Sequence, residues 1–362
     1  MSADALSARV RAAIAAHEQG AAFPFEELAL AVFARQFSDI PAYRRFCERR
    51  GRTPSEVARW QEIPALPTSA FKALDLHCGP PRRVFLTSGT TQGRETRGRH
   101  CMPDPEIYRA SALAHFRRMV LPDGARPLIV GLLAGPEVLP DSSLVQMVEW
   151  VREDLGQDEP LFLVDGDGFA PEIALARLRE LGSRGKPLCL VGVRAVFTAL
   201  LDWLRARGET AELPPDSRIV DTGGPKGGRT LSDSGFLRAS WDLLGIPGYY
   251  CINEYGMTEL SSQYYDDVLL QRFAGSNALR RKQAPPWMRS IAVDPETLEP
   301  LAAGETGILR HVDLANALSV LAVQTEDLGS VEGPSLVLRG RIPGAEPRGC
   351  ALALSHLLEA RS

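Results

Sequence analysis

Four short apolar runs decide the fold, and they read RPLIVGLL (126–133), LFLV (161–164), PLCLV (187–191) and RIV (218–220). Each is typical of a buried β-strand. The intervening segments have helical spacing, over 141–155, 171–181 and 194–207. Strands that alternate with helices predict an α/β fold with a mostly parallel sheet and helices on both faces. Ligands bind such sheets beyond the carboxyl ends of the strands, so the loops after Val220 and Ile252 are candidate binding loops.

The chain on either side of this core has a different texture. Before it, helices are predicted at Ala5–His17, at Phe25–Phe37 and, from a capping box with proline at the first helical position, from Thr53 onward. After about Ala292, short runs separated by turns predict antiparallel strands. We therefore predict a helical N-terminal segment (1–75), an α/β core (76–300) and a short β-rich C-terminal segment (301–362).

Composition narrows the class of protein. The chain has 362 residues, of which 44% are hydrophobic and 24% charged, as in ordinary globular proteins. Its 41 Lys and Arg residues nearly balance 45 Asp and Glu residues, which argues against nucleic acid or an anionic membrane bound through bulk charge. No run of 18 apolar residues occurs, so no transmembrane span is predicted. The six cysteines form no CxxC pair, and a reducing cytoplasm is the expected location.

A glycine- and hydroxyl-rich loop, TSGTTQG (87–93), follows the apolar run at 84–86. Glycines let the backbone turn tightly, so that successive N–H groups can point at one anion while the hydroxyls add donors. The arginines at 94, 97 and 99 would add positive charge. The loop lacks the Gly-Lys-Ser/Thr of P-loop NTPases. The alternative interpretation is a surface turn rich in Ser, Thr and Gly.

Two further segments carry polar groups suited to a nucleotide. Thr258 and Glu259 lie in a loop after a strand, where a hydroxyl beside a carboxylate suits a phosphate and its Mg²⁺. Asp327 comes shortly before Arg341. A carboxylate can bind both hydroxyls of a ribose, and arginine recognises phosphate through its planar fork. Taken singly, Glu259 is better explained as a solvated loop residue, and Asp327 and Arg341 as ordinary surface charges.

The order of these segments is more informative than any one of them. TSGTT (87–91), YGMTE (255–259) and an acidic segment before Gly340-Arg341 resemble the adenylate-forming superfamily of acyl-CoA synthetases, luciferases and peptide-synthetase adenylation domains. Further strings resemble the acyl-protein synthetase (LuxE) family, which supplies the fatty-acid-activating subunit of the bacterial luminescence fatty-acid reductase. They are IPALPTSAFK (63–72), DTGGPKGGR (221–229), YGMTELSSQYY (255–265), APPWMRS (284–290), TEDLG (325–329) and GRIPGAEPRGC (340–350). The resemblance covers most of the chain and implies the adenylating α/β fold with a reduced C-terminal portion.

The resemblance also implies a two-step ligase reaction. A carboxylate attacks the α-phosphorus of MgATP to give an acyl-adenylate and pyrophosphate, and a thiol then displaces AMP to give a thioester. In this scheme the β- and γ-phosphates are held by Thr87, Ser88, Gly89, Thr90, Thr91 and Gly93. Thr258 contacts the α-phosphate, Glu259 holds Mg²⁺, and Asp327 takes the ribose hydroxyls with Arg341 nearby. Gly223 and Gly224 line the adenine and acyl pocket, and Tyr255 stacks on the adenine. Gly256, the next residue, also belongs to the predicted ATP-binding set.

Two departures from the superfamily pattern matter. After its threonines the phosphate loop usually continues Gly-x-Pro-Lys, whereas here it reads Gln-Gly-Arg-Glu (92–95). The mobile C-terminal domain of the larger ligases, with its adenylation lysine, does not fit into the 21 residues after Arg341. Lys226 is the candidate substitute for that lysine, and a solvated loop lysine is the alternative.

Cys350 is the candidate acyl acceptor, because a family member passes its acyl group to a cysteine of its own near the C-terminus. Arg339, Arg341 and Arg348 would lower the pKa of its thiol and so raise the thiolate fraction. A packed core cysteine is the alternative. Coenzyme A, a carrier-protein pantetheine or an amine are other acceptors, and a non-catalytic scaffold is a third interpretation. The expected partners are a carboxylic acid and an acyl reductase or acyl carrier protein.

Overall fold

A computed structural model describes residues 2–87, 97–158, 160–223, 231–276 and 278–342. The chain folds into two compact units. The first unit holds the described residues as far as Ala114, the segment 257–263 and the residues from Gln283 onward. The second unit holds residues 115–256 and 264–282.

The secondary structure of the described residues alternates between helices and strands through most of the chain. The α-helices are α1 (Ala3–Glu18), α2 (Phe25–Asp39), α3 (Pro41–Arg49), α4 (Ala70–Ala73), α5 (Pro105–Val120), α6 (Ser143–Asp154), α7 (Pro171–Gly182), α8 (Arg194–Arg207), α9 (Asp233–Leu244) and α10 (Val268–Phe273). The strands are β1 (Leu66–Pro67), β2 (Arg83–Leu86), β3 (Arg99–Met102), β4 (Leu128–Ala134), β5 (Phe162–Asp165), β6 (Gly168–Phe169), β7 (Leu188–Val193), β8 (Arg218–Thr222), β9 (Cys251–Tyr255), β10 (Tyr264–Asp266), β11 (Lys282–Gln283), β12 (Met288–Val293), β13 (Thr306–Asp313), β14 (Ala322–Glu332) and β15 (Ser335–Arg341). Short 3₁₀ turns lie at Trp60–Glu62, Gly248–Tyr250 and Leu314–Asn316.

A mostly parallel sheet forms the centre of the second unit, in the order β5–β4–β7–β8–β9. The short strands β6 and β10 pair antiparallel with β5 and β9. Gly192 lies opposite Leu132, and a Cβ at this position would come within 2.4 Å of the Leu132 carbonyl oxygen, so a side chain would push β7 away from β4. This sheet confirms the predicted α/β fold class.

The helices of the second unit cover apolar side chains of this sheet. Helix α8 has the bounds predicted for it, and it ends where Gly208 takes a left-handed φ of 64° as the C-cap. Its side chains Phe197, Leu201 and Leu204 are buried at helical spacing. Helical spacing of the apolar residues was therefore sufficient to locate this helix.

The first unit combines N-terminal helices with an antiparallel sheet. Leu6, Val10 and Ile14, four residues apart, form the buried face of α1. Strands β12, β13, β14 and β15 pair antiparallel in sequence order. Strand β1 pairs parallel with β14, and β2 with β3 forms a separate hairpin. The antiparallel strands expected towards the C-terminus are confirmed.

The helix predicted from the capping box at Thr53 is wrong. The Thr53 carbonyl accepts from the N–H groups of Glu56 and Val57 at 2.9 and 3.0 Å, which closes one turn and no more. The next two amides, of Ala58 and Arg59, donate instead to the Glu62 carboxylate at 2.9 and 3.1 Å. Those amides are then lost to the helical i→i−4 pattern, so the helix cannot propagate.

The sequence also predicts a strand over 248–252, before the loop after Ile252, and this strand begins later than predicted. The Tyr250 N–H donates to the Pro247 carbonyl at 2.8 Å and closes a 3₁₀ turn, so the strand starts at Cys251.

Among the described residues, none of the helices has the length and apolar character that a bilayer crossing needs.

Candidate active site

Thr87 and Gly98 form the neck of the predicted phosphate loop, and two reciprocal hydrogen bonds join them. The Thr87 N–H donates to the Gly98 carbonyl at 2.9 Å, and the Gly98 N–H donates to the Thr87 hydroxyl at 2.8 Å. The Arg97 guanidinium donates to the carbonyls of Leu86, at 3.0 Å, and Thr87, so its charge is anchored at the neck. Arg99 pairs with Asp75 at 3.2 Å. The loop itself, with Ser88, Gly89, Thr90, Thr91 and Gly93, lies outside the described residues.

Thr258 and Glu259 lie in a tight turn of the first unit. The Leu260 N–H donates to the Met257 carbonyl at 3.1 Å and closes the turn. The carbonyl of Thr258 accepts from His100 Nδ1 at 2.6 Å, and the carbonyl of Glu259 accepts from Asn316 Nδ2 at 2.8 Å. The backbone of the predicted phosphate- and metal-binding residues is therefore fixed by buried side chains.

The Glu259 carboxyl is an unusual acid. Only 9% of the residue is exposed. Burial, helped by Asp327, raises its pKa to about 7, although its own N–H, Arg341 and Lys72 oppose the rise. The charges of Asp327, Arg341 and Lys72 therefore act on Glu259, the predicted metal ligand. Lys72, an exposed residue of α4, was not singled out by its sequence context.

Asp327 and Arg341 form a cross-strand ion pair. They lie directly opposite each other on β14 and β15, and Arg341 Nε contacts Asp327 Oδ1 at 3.0 Å. The Asp327 side chain is 14% exposed and the Arg341 side chain 60% exposed. The structure thus brings the predicted ribose carboxylate and its arginine together within the first unit.

In the second unit, the remaining predicted residues follow the carboxyl ends of β8 and β9. Gly223 has a φ of 82°, which favours glycine, although a Cβ would meet no atom there. Tyr255 ends β9, and its ring centroid lies 5.8 Å from that of Tyr264, tilted by 45°. Gly256 follows and is half-buried. Gly224 and Lys226 lie outside the described residues.

A buried network of charged groups ties these strand ends together. Asp221 binds Arg194 Nε at 2.5 Å and Asn253 Nδ2 at 2.8 Å. Lys282 Nζ donates to Asn253 Oδ1 at 2.6 Å and pairs with Asp266 at 3.1 Å. Burial raises the pKa of Asp221 even though Arg194 opposes the shift. Paired and hydrogen-bonded in this way, the charges fix the position of the β8 and β9 ends.

Glu254 is a second buried carboxyl that sequence reasoning did not single out. It accepts a hydrogen bond from the Thr222 hydroxyl, which lies opposite it in the sheet. Burial raises its pKa to about 7, against the effects of Thr222 and Lys282. A polar residue amid the buried positions of a strand end was the available signal.

The described thiols lack the properties of a nucleophile. The cysteines at 47, 78, 101, 189 and 251 are free and buried. Burial raises the pKa of Cys47, Cys78, Cys189 and Cys251 to about 12, so these thiols stay protonated at neutral pH. Cys350 lies outside the described residues.

One cluster among the described residues has the ligand types of a metal centre. Ligand atoms of Asp75, His77 and Cys101 lie within 4.8 Å of one another. The Asp75 carboxylate already has a cationic partner in Arg99, and burial raises the pKa of the Cys101 thiol. Both facts disfavour a metal at this cluster.

Comparison with known proteins places the chain. A family model described as acyl-protein synthetase, LuxE, matches residues 161–359, more than half of the chain. The chain belongs to the acyl-protein synthetase (LuxE) family. It is also 24% identical over 337 residues to the long-chain-fatty-acid–luciferin-component ligase of Vibrio harveyi, covering 88% of this chain and 84% of that protein. The acyl-protein synthetase described here is therefore an enzyme of acyl activation and acyl transfer, as its sequence predicted.

Solved structures agree with this acyl-protein synthetase in fold. A 2-hydroxyisobutyryl-CoA ligase in the postadenylation state, in complex with 2-HIB-AMP, superposes with a TM-score of 0.60 at 17% identity. The alignment covers 88% of this chain and 68% of that ligase. ATP-bound MatB from Rhodopseudomonas palustris has a TM-score of 0.49 at 17% identity, and this chain spans only 47% of its length. The likeness to the first ligase shows that the two chains share a fold.

Proposed function

We propose that this acyl-protein synthetase uses MgATP to convert a carboxylic acid into an acyl-adenylate and then transfers the acyl group to the thiol of Cys350. In the first step a carboxylate oxygen bonds to the α-phosphorus and pyrophosphate leaves. In the second step the thiolate sulfur bonds to the acyl carbon and AMP leaves. The observation that carries the proposal is the buried Glu259 carboxyl, which follows Thr258 and senses the charges of Asp327 and Arg341.

The donor set around Glu259 fits a hard divalent cation. Carboxylate oxygen is the ligand that Mg²⁺ prefers, and a bound cation would keep Glu259 ionised despite the burial that raises its pKa to about 7. We propose Glu259 as the Mg²⁺ ligand, and bound Mg²⁺ would supply charge neutralisation at the phosphates. Lys72 lies within electrostatic reach of Glu259 and would add positive charge for the same phosphates.

The remaining residues would bind and orient the nucleotide. Thr258 would donate its hydroxyl to the α-phosphate, because its carbonyl is fixed by His100 and its side chain stays half-buried. Asp327 would accept hydrogen bonds from both ribose hydroxyls, with Arg341 holding the carboxylate in place. The proposed phosphate loop comprises Thr87, Ser88, Gly89, Thr90, Thr91 and Gly93, and the proposed adenine and acyl pocket includes Gly223, Gly224, Tyr255 and Gly256.

Cys350 is proposed as the acyl acceptor because the described thiols are buried and protonated while Cys350 follows three arginines in sequence. A long-chain fatty acid is the first substrate to test, since the Vibrio harveyi relative is named for one. We propose an acyl reductase or an acyl carrier protein as the partner that takes the acyl group onward, and the cytoplasm as the location. Lys226 is proposed as the lysine that assists adenylation.

Intact-protein mass spectrometry tests this proposal. Wild-type protein incubated with MgATP and palmitate should gain the mass of one acyl group, and neutral hydroxylamine should release it as it releases thioesters. Omission of ATP is the control, because the unactivated acid cannot acylate a thiol. A protein that forms acyl-adenylate but never carries an acyl group would contradict Cys350 as the acceptor.

A further inference from the structure

We infer that His100 and Asn316 are positioning residues that set the orientation of Thr258 and Glu259 for adenylation. The inference rests on the proposed function, in which Thr258 contacts the α-phosphate and Glu259 binds Mg²⁺. Neither His100 nor Asn316 belongs to a motif that the sequence resemblance singled out. Both lie in the first unit and are at most 1% exposed.

His100 lies on β3 and is locked by contacts on three sides. Its Nδ1 lies 2.6 Å from the Thr258 carbonyl oxygen, and its Nε2 lies 2.8 Å from the Ser319 hydroxyl. The edge of its ring meets Phe71, with centroids 5.8 Å apart at 84°. The ring therefore has one orientation, and that orientation aims a nitrogen at the turn.

The protonation state of His100 follows from its environment. Burial lowers its pKa to about 4, so the ring is neutral at pH 7. A carbonyl can only accept, so the single proton sits on Nδ1 and donates to Thr258, while Nε2 accepts from Ser319. His100 thus holds the turn as a fixed neutral donor throughout the pH range in which a ligase would be assayed.

Asn316 holds the next carbonyl in the same way. Its Nδ2 donates to the Glu259 carbonyl at 2.8 Å and to the Val320 carbonyl at 3.0 Å. Its Oδ1 accepts from the Ser261 hydroxyl at 2.6 Å. Both amide hydrogens donate and the amide oxygen accepts one hydrogen bond, so rotation of the side chain would break all three bonds.

His100 and Asn316 are connected to each other through Ser319. The Ser319 N–H donates to the Asn316 carbonyl at 3.0 Å, and the Ser319 hydroxyl bonds His100. Asp313 extends the support, since it accepts from the Ser261 N–H at 2.9 Å and from the Ser262 hydroxyl at 2.7 Å. Two successive carbonyls, of Thr258 and Glu259, are therefore fixed by one buried, connected set of hydrogen bonds.

These hydrogen bonds orient the side chains of Thr258 and Glu259 in addition to stabilising the fold. A peptide whose carbonyl is fixed on each side has a fixed plane, so the side chains of Thr258 and Glu259 leave the turn in set directions. Catalytic groups lose much of their effect when they are displaced by about 1 Å. Supporting contacts of this kind contribute about 10–100-fold in metal affinity or activity.

The test compares substitutions that keep or remove one hydrogen bond. In His100→Asn, the side-chain amide nitrogen replaces Nδ1 and can still donate to Thr258, whereas in His100→Gln the amide reaches toward Ser319 and leaves the Thr258 carbonyl without its donor. Asn316→Ala removes the donor to Glu259. Tyr43→Phe is the matched control, because it removes a 2.7 Å bond from a fully buried hydroxyl to the Pro64 carbonyl in the same unit and should lower the melting temperature.

Two assays are needed. Thermal unfolding gives the melting temperature of each variant, and carboxylate-dependent pyrophosphate exchange gives kcat and the Mg²⁺ concentration at half-maximal rate. We expect His100→Gln and Asn316→Ala to lose about 10–100-fold in kcat and to need more Mg²⁺, and His100→Asn to keep most of the activity. Tyr43→Phe should lose stability but keep kcat. If His100→Asn and His100→Gln have equal kcat, or if all three variants follow Tyr43→Phe, the inference is overturned while the proposed function stands. A wild type without exchange would instead refute the proposed function.

Discussion

The proposed role of Glu259 as the Mg²⁺ ligand predicts a pH-dependent activity that one substitution can expose. Its pKa of about 7 means that about a tenth of the side chains are ionised at pH 6 and about nine-tenths at pH 8. Metal binding requires the carboxylate, so the apparent Mg²⁺ affinity of the wild type should rise about tenfold between these pH values. Glu259→Gln should lose about 10²–10³-fold in activity and show no such rise.

The same substitution has an opposite effect on stability. The folded protein holds the Glu259 proton more tightly than the unfolded chain, whose ordinary pKa is 4.5, so the free energy of unfolding falls as the pH rises from about 4.5 to about 7. Glutamine removes this loss and should be more stable than glutamate at pH 8, by up to about 3 kcal/mol. Near pH 4, where glutamate is protonated in both states, the two proteins should be similar.

Two assays check both halves of this prediction. Pyrophosphate exchange, titrated with Mg²⁺ at pH 6, 7 and 8, gives the affinity, and urea unfolding at pH 4 and pH 8 gives the stability difference. Comparison with Glu259→Gln cancels the contributions of the other buried acids, Glu254 and Asp313. A wild type with the same Mg²⁺ requirement at pH 6 and pH 8, or a glutamine variant less stable at pH 8, would refute the reasoning.

Three further predictions concern other parts of the molecule. Asp327→Ala should raise the KM for ATP about 10–100-fold and largely keep kcat, since ribose contacts contribute to ground and transition state alike; with Glu326→Ala as the control, an unchanged KM with a collapsed kcat would contradict the ribose role. Cys350→Ser should keep pyrophosphate exchange but lose the acyl-enzyme seen by mass spectrometry, and an adduct that survives the change would contradict the acceptor assignment. Arg218→Ala should lower the free energy of unfolding by about 3–5 kcal/mol in urea titration, because truncation of this fully buried side chain leaves a cavity and removes the donor to the Val120 carbonyl at 2.7 Å as well as the 2.9 Å pair with Asp123; a loss below about 1 kcal/mol would mean that the residue behaves as a member of a surface ion pair.

The sequence was a good guide where one local rule dominates. Helix α8 followed from the helical spacing of apolar residues, and the parallel strands followed from short apolar runs. The capping box at Thr53 failed because Glu62, nine residues away in sequence, captures the amides that a helix would need. A local signal cannot anticipate a competing acceptor that only the folded chain brings close.

The candidate site shows the same division. The resemblance placed Arg341 near Asp327, and the two residues do lie opposite each other on adjacent strands. His100 and Asn316 could not be linked to Thr258 and Glu259, since 158 and 57 positions separate the partners and no motif marks His100 or Asn316. The raised pKa of Glu259 was likewise unpredictable, because it arises from burial.

Carboxylate-dependent exchange of labelled pyrophosphate into ATP is the most direct test of the account. The reaction reports adenylation alone and requires neither Cys350 nor a partner protein. With Mg²⁺ present, wild-type protein should exchange label only when a suitable acid, beginning with long-chain fatty acids, is added, and the exchange should fall steeply in Glu259→Gln. Exchange no faster than the acid-free rate across fatty, aromatic and short branched acids would contradict the claim that this chain activates carboxylic acids as adenylates.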